Sequence, residues 1–417
     1  MFASPFSPFA LSPQLTLKNR LIKTATYEGM VHEGMPATTL GRHHREIAEG
    51  GVGMTTVAYC AVVPSGRTFE AQMVMEERAI APHAALVDSI HEGGAKASLQ
   101  LGHAGGFSRD TSQRGRHPLG PSAGVNEYGL LLGKPLIYGM RREEMVELRD
   151  AFVMAAKRAA RAGYDALELH LGHGYLLSQF LSPRINRRRD AYGGALENRM
   201  RFPLEVVRAV RDALPNIALL VKLNLDDGVE GGLHVEECCA IARALEAAGV
   251  NALVLSGGLV SRSSMFLLRG GRPLERMREV EHQGAMKVAL SVFGPWMVKA
   301  VPFGPLFFLD LATHVRRAVK MPLALLGGVR GLGDLNTAME SGFELVALGR
   351  ALLSDPTLPR AWAQGESTQT TCDRCNECIA EMDVEGGVLC VRDAGQKMRR
   401  NLEVARGDAH RVMGRGA

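Results

Sequence analysis

Eight short, β-rich apolar runs recur along this chain, each followed by Gly or Asn turn chemistry and then a helical pattern. No other feature constrains the fold as much. The runs are Leu21–Thr26, Met54–Val62, Ala95–Leu101, Ala166–His170, Ala218–Leu223, Ala252–Ser256, Leu323–Leu326 and Leu345–Leu348. Several are introduced by a helix ending in glycine, as in RAARAGYDALEL, ALEAAGVNALVL and AMESGFELVAL. Gly163, Gly249 and Gly342 there suit the left-handed residue that ends a helix before a strand. Eight parallel β/α units are the number that closes a barrel. The expected fold class is therefore α/β, a (β/α)8 TIM barrel over residues 1–364. A doubly wound open sheet would show fewer units and a Gly-rich phosphate turn after its first strand. No such turn follows Thr26.

The repeat is interrupted three times. Gly102 to Arg142 is a long Gly- and Pro-rich connection after the third run. Residues 257–305 form a longer insertion after the sixth, with a helix predicted from Leu274 to about Phe293. Residues 365–417 form a tail that carries a cysteine cluster and ends in a basic segment, Arg399–Arg415. Connections of this length usually carry function or a small subdomain.

Charge excludes some classes of function. The 49 Lys and Arg against 44 Asp and Glu leave +5, spread without a long basic run, so no nucleic-acid partner is expected. The most apolar stretch, Ala289 to Leu311, is broken by Gly294, Pro295, Pro302, Gly304 and Pro305 and carries Lys299. It is too interrupted to span a bilayer. Its aromatics Trp296, Phe303, Phe307 and Phe308 read as packing on the barrel wall, with peripheral membrane contact as the alternative. The N-terminus, MFASPFSPFALSPQ, lacks the basic start and apolar run of a secretory signal. Four of the seven cysteines crowd into Cys372 to Cys390, a ligand-like spacing rather than a disulfide framework. Both observations point to a cytoplasmic protein.

In such barrels the chemistry sits at the C-terminal ends of the strands. Three groups stand there. In Glu168-Leu-His170-Leu-Gly-His173-Gly-Tyr175, two imidazoles three residues apart can donate to one oxygen, and a phenol two residues on can supply a proton. Two histidines are also metal ligands, although no third ligand is evident nearby. At the last two strand ends, Gly327 and Gly328 bring bare backbone close to a ligand. Gly349 and Arg350 add a fixed positive fork, in the place where these barrels bind phosphate. Gln100 and Lys222, on the third and fifth strands, suit the polar edge of an isoalloxazine and the charge of its reduced form. Lys222 paired with Asp226 or Asp227 is the structural alternative, and spacing leaves both open.

These residues together resemble the old yellow enzyme family of FMN-dependent oxidoreductases. The matches run from Asn19-Arg20-Leu-Ile-Lys-Thr to about Pro356. They include His103-Ala-Gly105, Gly120-Pro121-Ser122, the His170 to Tyr175 group, and the long run from Phe180-Leu-Ser-Pro183 through Arg189-Asp190-Ala-Tyr192-Gly193-Gly194 to Glu197-Asn198-Arg199. The resemblance implies FMN on Ala25, Ala58, Gln100, Lys222, Gly328, Gly349 and Arg350, with Thr26 beside it. It implies an acceptor oxygen held by His170 and His173, and Tyr175 as proton donor. NAD(P)H would then reduce the flavin, and hydride would pass to an activated carbon–carbon double bond of an enone, enal, nitroalkene or dienoyl thioester. Two positions depart from the pattern: Tyr27 stands where many relatives have Thr or Cys, and Lys222 where many have Arg, keeping the charge without the fork.

Cys372-x2-Cys375-x2-Cys378-x11-Cys390 resembles the [4Fe–4S] site of the branch that holds dienoyl-CoA reductases and trimethylamine dehydrogenase. A metal-free tail and zinc are the alternatives, zinc usually taking its cysteines as two separated pairs. In that branch a nucleotide-binding domain follows the cysteines. The short segment after Cys390 leads to the expectation of a separate redox partner or a homo-oligomer. An amine dehydrogenase or N-demethylase, and a non-catalytic electron-transfer flavoprotein, are the competing readings of function.

Overall fold

The computed structural model describes residues 2–110, 112, 117–130, 133–366 and 369–398. The basic segment Arg399–Arg415 lies outside the described residues. Eight parallel strands close into a barrel: β1 (Leu21–Lys23), β2 (Met54–Ala61), β3 (Lys96–Gly102), β4 (Ala166–Leu171), β5 (Ala218–Asn224), β6 (Ala252–Ser256), β7 (Leu323–Leu326) and β8 (Leu345–Leu348). Each pairs with its neighbours in chain order, and β8 closes onto β1. The expected α/β barrel is what forms.

The strands are buried on both faces, which is why they read as continuous apolar runs rather than alternating ones. The helices between them are amphipathic. In the 20-residue helix Arg142–Arg161, Met145, Leu148, Phe152, Ala155, Ala156 and Ala159 form one buried stripe at helical spacing, while Glu143, Glu144 and Arg161 stay off it. The predicted terminators behave as expected: Gly163, Gly249 and Gly342 have φ of +91°, +78° and +86°.

Three departures concern the connections. A hairpin of Phe9–Ser12 and Leu15–Leu17 precedes β1 and buries Leu11, Leu15 and Leu17. The connection after β3 folds a small three-stranded sheet from Leu119–Gly120, Gly124–Val125 and Leu136–Gly139. The helix predicted from Leu274 to about Phe293 is two helices, Leu274–Val280 and Gly284–Val292. The chain turns extended at Glu281 (φ −72°, ψ 131°), and Gly284 starts the second helix. Nothing in the apolar pattern marks that break.

The insertion clamps the cysteine tail. Gly271 donates from its backbone to Arg374 at 2.9 Å, and Arg276 pairs with the fully buried Glu381 at 2.6 Å. No helix among the described residues is long and apolar enough to cross a membrane.

Candidate active site at the barrel mouth

Parallel register decides which side chains meet. His170 lies beside Lys222 and Glu168 beside Gln100, while Asn224 on β5 faces Ser256 on β6. Glu168 is the hub. It accepts from Gln100 Nε2 at 2.6 Å and sits 3.1 Å from Lys222 Nζ, which also donates to Thr24 Oγ1 at 3.0 Å. All are buried inside the barrel. The carboxylate that pairs with Lys222 is thus neither Asp226 nor Asp227. Asp227 accepts from Asn224 and the Leu233 amide, and Asp226 faces His234. Glu168 reaches Lys222 because the two lie two residues apart in the β4–β5 register, although 54 positions of chain separate them.

At the end of β4 the ring of His170 stacks on Tyr175, centroids 4.1 Å apart and 27° between planes, and meets His173 edge-on at 5.0 Å. Tyr59 and Phe107 pack edge-on against Tyr175 at 4.8 and 4.9 Å. Ala58 belongs to the small buried cluster, with Tyr59, Ala61 and Val74, on which Ala25 and Tyr175 pack. His173 has a left-handed backbone, φ +59°, held by its amide donating to Asn224 Oδ1 at 2.9 Å. A non-glycine residue in that region marks strain of the kind found at functional sites. Its Nε2 lies 2.7 Å from Ser256 Oγ.

Burial keeps both rings neutral. It lowers the pKa of His173 to about 3 and that of His170 well below the usual value, with the nearby Lys222 charge adding to both. Nδ1 of His170 accepts the Gly172 amide at 3.3 Å, so the single proton of the neutral ring sits on Nε2. Burial raises the Tyr175 pKa, so the phenol stays protonated.

On the opposite side of the mouth lies a cleft enclosing about 780 Å³ of space, open to solvent. Of the residues singled out from sequence, Ala25, Thr26, His173, Lys222, Gly328, Gly349 and Arg350 line it. Ala58, Gln100, His170 and Tyr175 are not among the residues that line it. Gly327 and Gly328 have φ of +105° and +83°, and a Cβ on Gly328 would stand 2.7 Å from backbone atoms of Gly304 and Leu306. A Cβ on Gly349 would project toward the methyls of Thr24 and Thr26, at 3.4 and 3.8 Å, both of which line the cleft. Gly327 and Gly328 are bare because the 304–308 segment packs directly on them. This lining fits a phosphate-bearing flavin, with backbone amides, the guanidinium groups of Arg350 and Arg374, and the Lys222 ammonium among it.

Arg350 also borders a second, smaller cavity lined by Cys372, Cys375, Cys378 and Cys390. Its guanidinium donates to Oδ1 of Asn376, a buried residue in left-handed conformation (φ +65°) whose amide donates to Leu268 and Gly271 carbonyls. Asn376 ties tail, insertion and β8 together. Sequence reasoning missed it, and its place between two cysteines was the available signal. The four thiols converge on one cavity, but among the described residues no group of three or more ligating side chains is arranged to hold a metal ion.

A model of the NADH:flavin oxidoreductase / NADH oxidase family matches residues 4–264. The chain is 39% identical to the 4,4'-dithiodibutanoate disulfide reductase of Rhodococcus erythropolis, over 94% of this chain and 96% of that protein. It is 31% identical to the NADH oxidase of Thermoanaerobacter brockii over 87% of its own length, but spans only 51% of that protein. Among solved structures, a 2-naphthoyl-CoA reductase complex superposes with a TM-score of 0.73 at 23% identity, covering 91% of this chain and 54% of that one. At that identity the likeness shows the fold alone.

Proposed function

This chain belongs to the NADH:flavin oxidoreductase / NADH oxidase family, and from that premise we propose that it is an FMN-dependent ene-reductase that uses NAD(P)H to reduce activated carbon–carbon double bonds. The observation that carries the reading is the end of β4. A neutral His170 with its proton on Nε2, His173 at 5.0 Å and a protonated Tyr175 stacked on His170 stand beside the open cleft. Gly328, Gly349 and Arg350 would hold the FMN phosphate, Gln100 and Lys222 would face the polar edge of the ring, and Ala25, Thr26 and Ala58 would wall it. When bound, FMN supplies hydride transfer from NAD(P)H to the acceptor.

His170 and His173 donate hydrogen bonds to the carbonyl or nitro oxygen, which draws charge from the double bond where it develops in the transition state. Neutral rings suit this role, because they polarise without giving up their protons. The Tyr175 hydroxyl delivers a proton to the carbon next to the activating group, while hydride arrives at the far carbon. The cationic amine of an amine dehydrogenase would meet Arg109, which already stacks on Phe69 and Tyr128 at the rim. A disulfide acceptor is the second reading, favoured by the name of the 39% identical relative.

For the tail we propose a [4Fe–4S] cluster on Cys372, Cys375, Cys378 and Cys390, supported by four soft donors around one cavity. Protein purified without oxygen tests both cofactors. It should show flavin bands, about four iron and four sulfide per chain, reduction by NAD(P)H, and reoxidation by 2-cyclohexenone. Flavin that is reduced yet left untouched by enones would overturn the ene-reductase reading. Iron absent from such preparations would overturn the cluster.

A further inference from the structure

We propose that Arg374, carried by the cysteine tail, is a second cation for the FMN phosphate, so that the tail completes the flavin site; this rests on the cleft being that site. Arg374 is half-buried and lines the cleft together with Arg350 and Thr370. Its guanidinium lies over the Phe303 ring at 4.3 Å, and Phe303 lines the same cleft. Stacking engages the faces of a guanidinium and leaves its N–H groups in the plane, in the fork that matches a phosphate.

The backbone of Arg374 is held in place against its own preference. Its φ is +63°, a left-handed conformation that glycine adopts freely and a bulky residue does not. Strain of that kind persists where the surroundings over-determine it, most often at functional sites. Here the insertion supplies the surroundings. The Gly271 amide donates to the Arg374 carbonyl at 2.9 Å, and a Cβ on Gly270 would collide with that same oxygen. One residue earlier, the Arg269 carbonyl accepts from Arg350 at 3.3 Å, and two residues along the tail Asn376 accepts from Arg350 as well. Segments 269–271 and 374–376 therefore set both guanidinium groups, and both groups reach one cleft.

Charge decides what they meet there. Among the described residues the cleft lining holds Lys222, Arg350 and Arg374 and no carboxylate. The acidic neighbours on the tail face other arginines: Asp373 and Glu377 hold Arg392 at 3.1 and 2.9 Å, and Glu381 holds Arg276 at 2.6 Å. A phosphate monoester carries roughly −1.5 to −2 charges at pH 7, which suits two guanidinium groups better than one.

The test compares FMN with riboflavin, which lacks the phosphate. The intact chain, stripped of flavin, is titrated with each, and binding is read from flavin fluorescence, so the result does not depend on turnover. The unaltered protein should prefer FMN. Arg374→Gly suits the left-handed backbone and so spares the fold. It should weaken FMN binding by roughly 10- to 100-fold, the weight of a charge-assisted contact, and leave riboflavin binding unchanged. Arg374→Lys, which keeps the charge without the planar fork, should recover part of the loss. Equal weakening of both flavins in Arg374→Gly would mean a role confined to packing on Phe303 and overturns the proposal, as does an unchanged preference for FMN. Equal binding of FMN and riboflavin by the unaltered protein would instead remove the phosphate site itself, and this role of Arg374 with it.

Discussion

The two sides of the barrel mouth are built by opposite means. On the β4 side the work falls to side chains: His170, His173 and Tyr175 are locked by stacked and edge-on rings, and burial sets their protonation. On the β7–β8 side it falls to missing side chains, since Gly327 and Gly328 let the 304–308 segment pack directly on the strand end and Gly349 beside Arg350 lines the cleft as bare backbone. Arg350 lines that space as well, and it is held from outside the barrel by Asn376. The first side is finished by local packing. The second depends on a tail and an insertion that meet at Asn376, which holds Arg350. Polarisation and protonation demand fixed donors, whereas a phosphate needs room, amides and positioned cations.

The sharpest way to break this comparison is to remove the β4 side chains. Tyr175→Phe or His170→Ala should slow reoxidation of the flavin by enone by roughly 10²- to 10⁴-fold, the range for a positioned proton donor. Reduction by NAD(P)H should fall far less. Single-turnover traces in which reoxidation is unchanged would remove these residues from the chemistry.

A smaller effect is expected on the other side. Arg350→Ala should weaken FMN retention by about 1.5–3 kcal/mol, the loss of a charge-assisted contact, read as FMN left after dialysis. Asn376→Ala should move retention in the same direction by less, because the arginine stays but loses its anchor. Full FMN retention by Arg350→Ala would misplace the phosphate site.

The smallest effect is an expected flat line. A histidine that titrated at its ordinary pKa of about 6.5 would change enone binding across neutrality. Burial lowers His173 to about 3 and drives His170 down as well. Protonation should therefore begin to weaken binding only in strong acid, and the enone dissociation constant should stay constant between about pH 5.5 and 8. An inflection near 6.5 that disappears in His173→Ala would show that the pair is not buried as described.

How much of this was legible in the chain alone follows from the range of each signal. Apolar runs bounded by glycine report local periodicity, so the eight β/α units and their helix-ending glycines could be read directly. The strand-end positions of His170, His173, Tyr175, Gly328, Gly349 and Arg350 followed, because a barrel presents every strand's C-terminal end on one face. Partners were a different matter. Glu168 joins Gln100 across 68 residues of chain and Lys222 through the β4–β5 register. Asn376 meets Gly271 across 105, and Arg109 finds its two rings on separate segments. Those meetings depend on register and on how connections cross the barrel end, neither of which leaves a periodic trace. The sequence by itself determined which strand ends carry polar side chains and glycines. Only the tertiary structure decided which charge each one faces, because a hydrogen bond is won or lost over less than an ångström, and a sequence pattern carries no such distance.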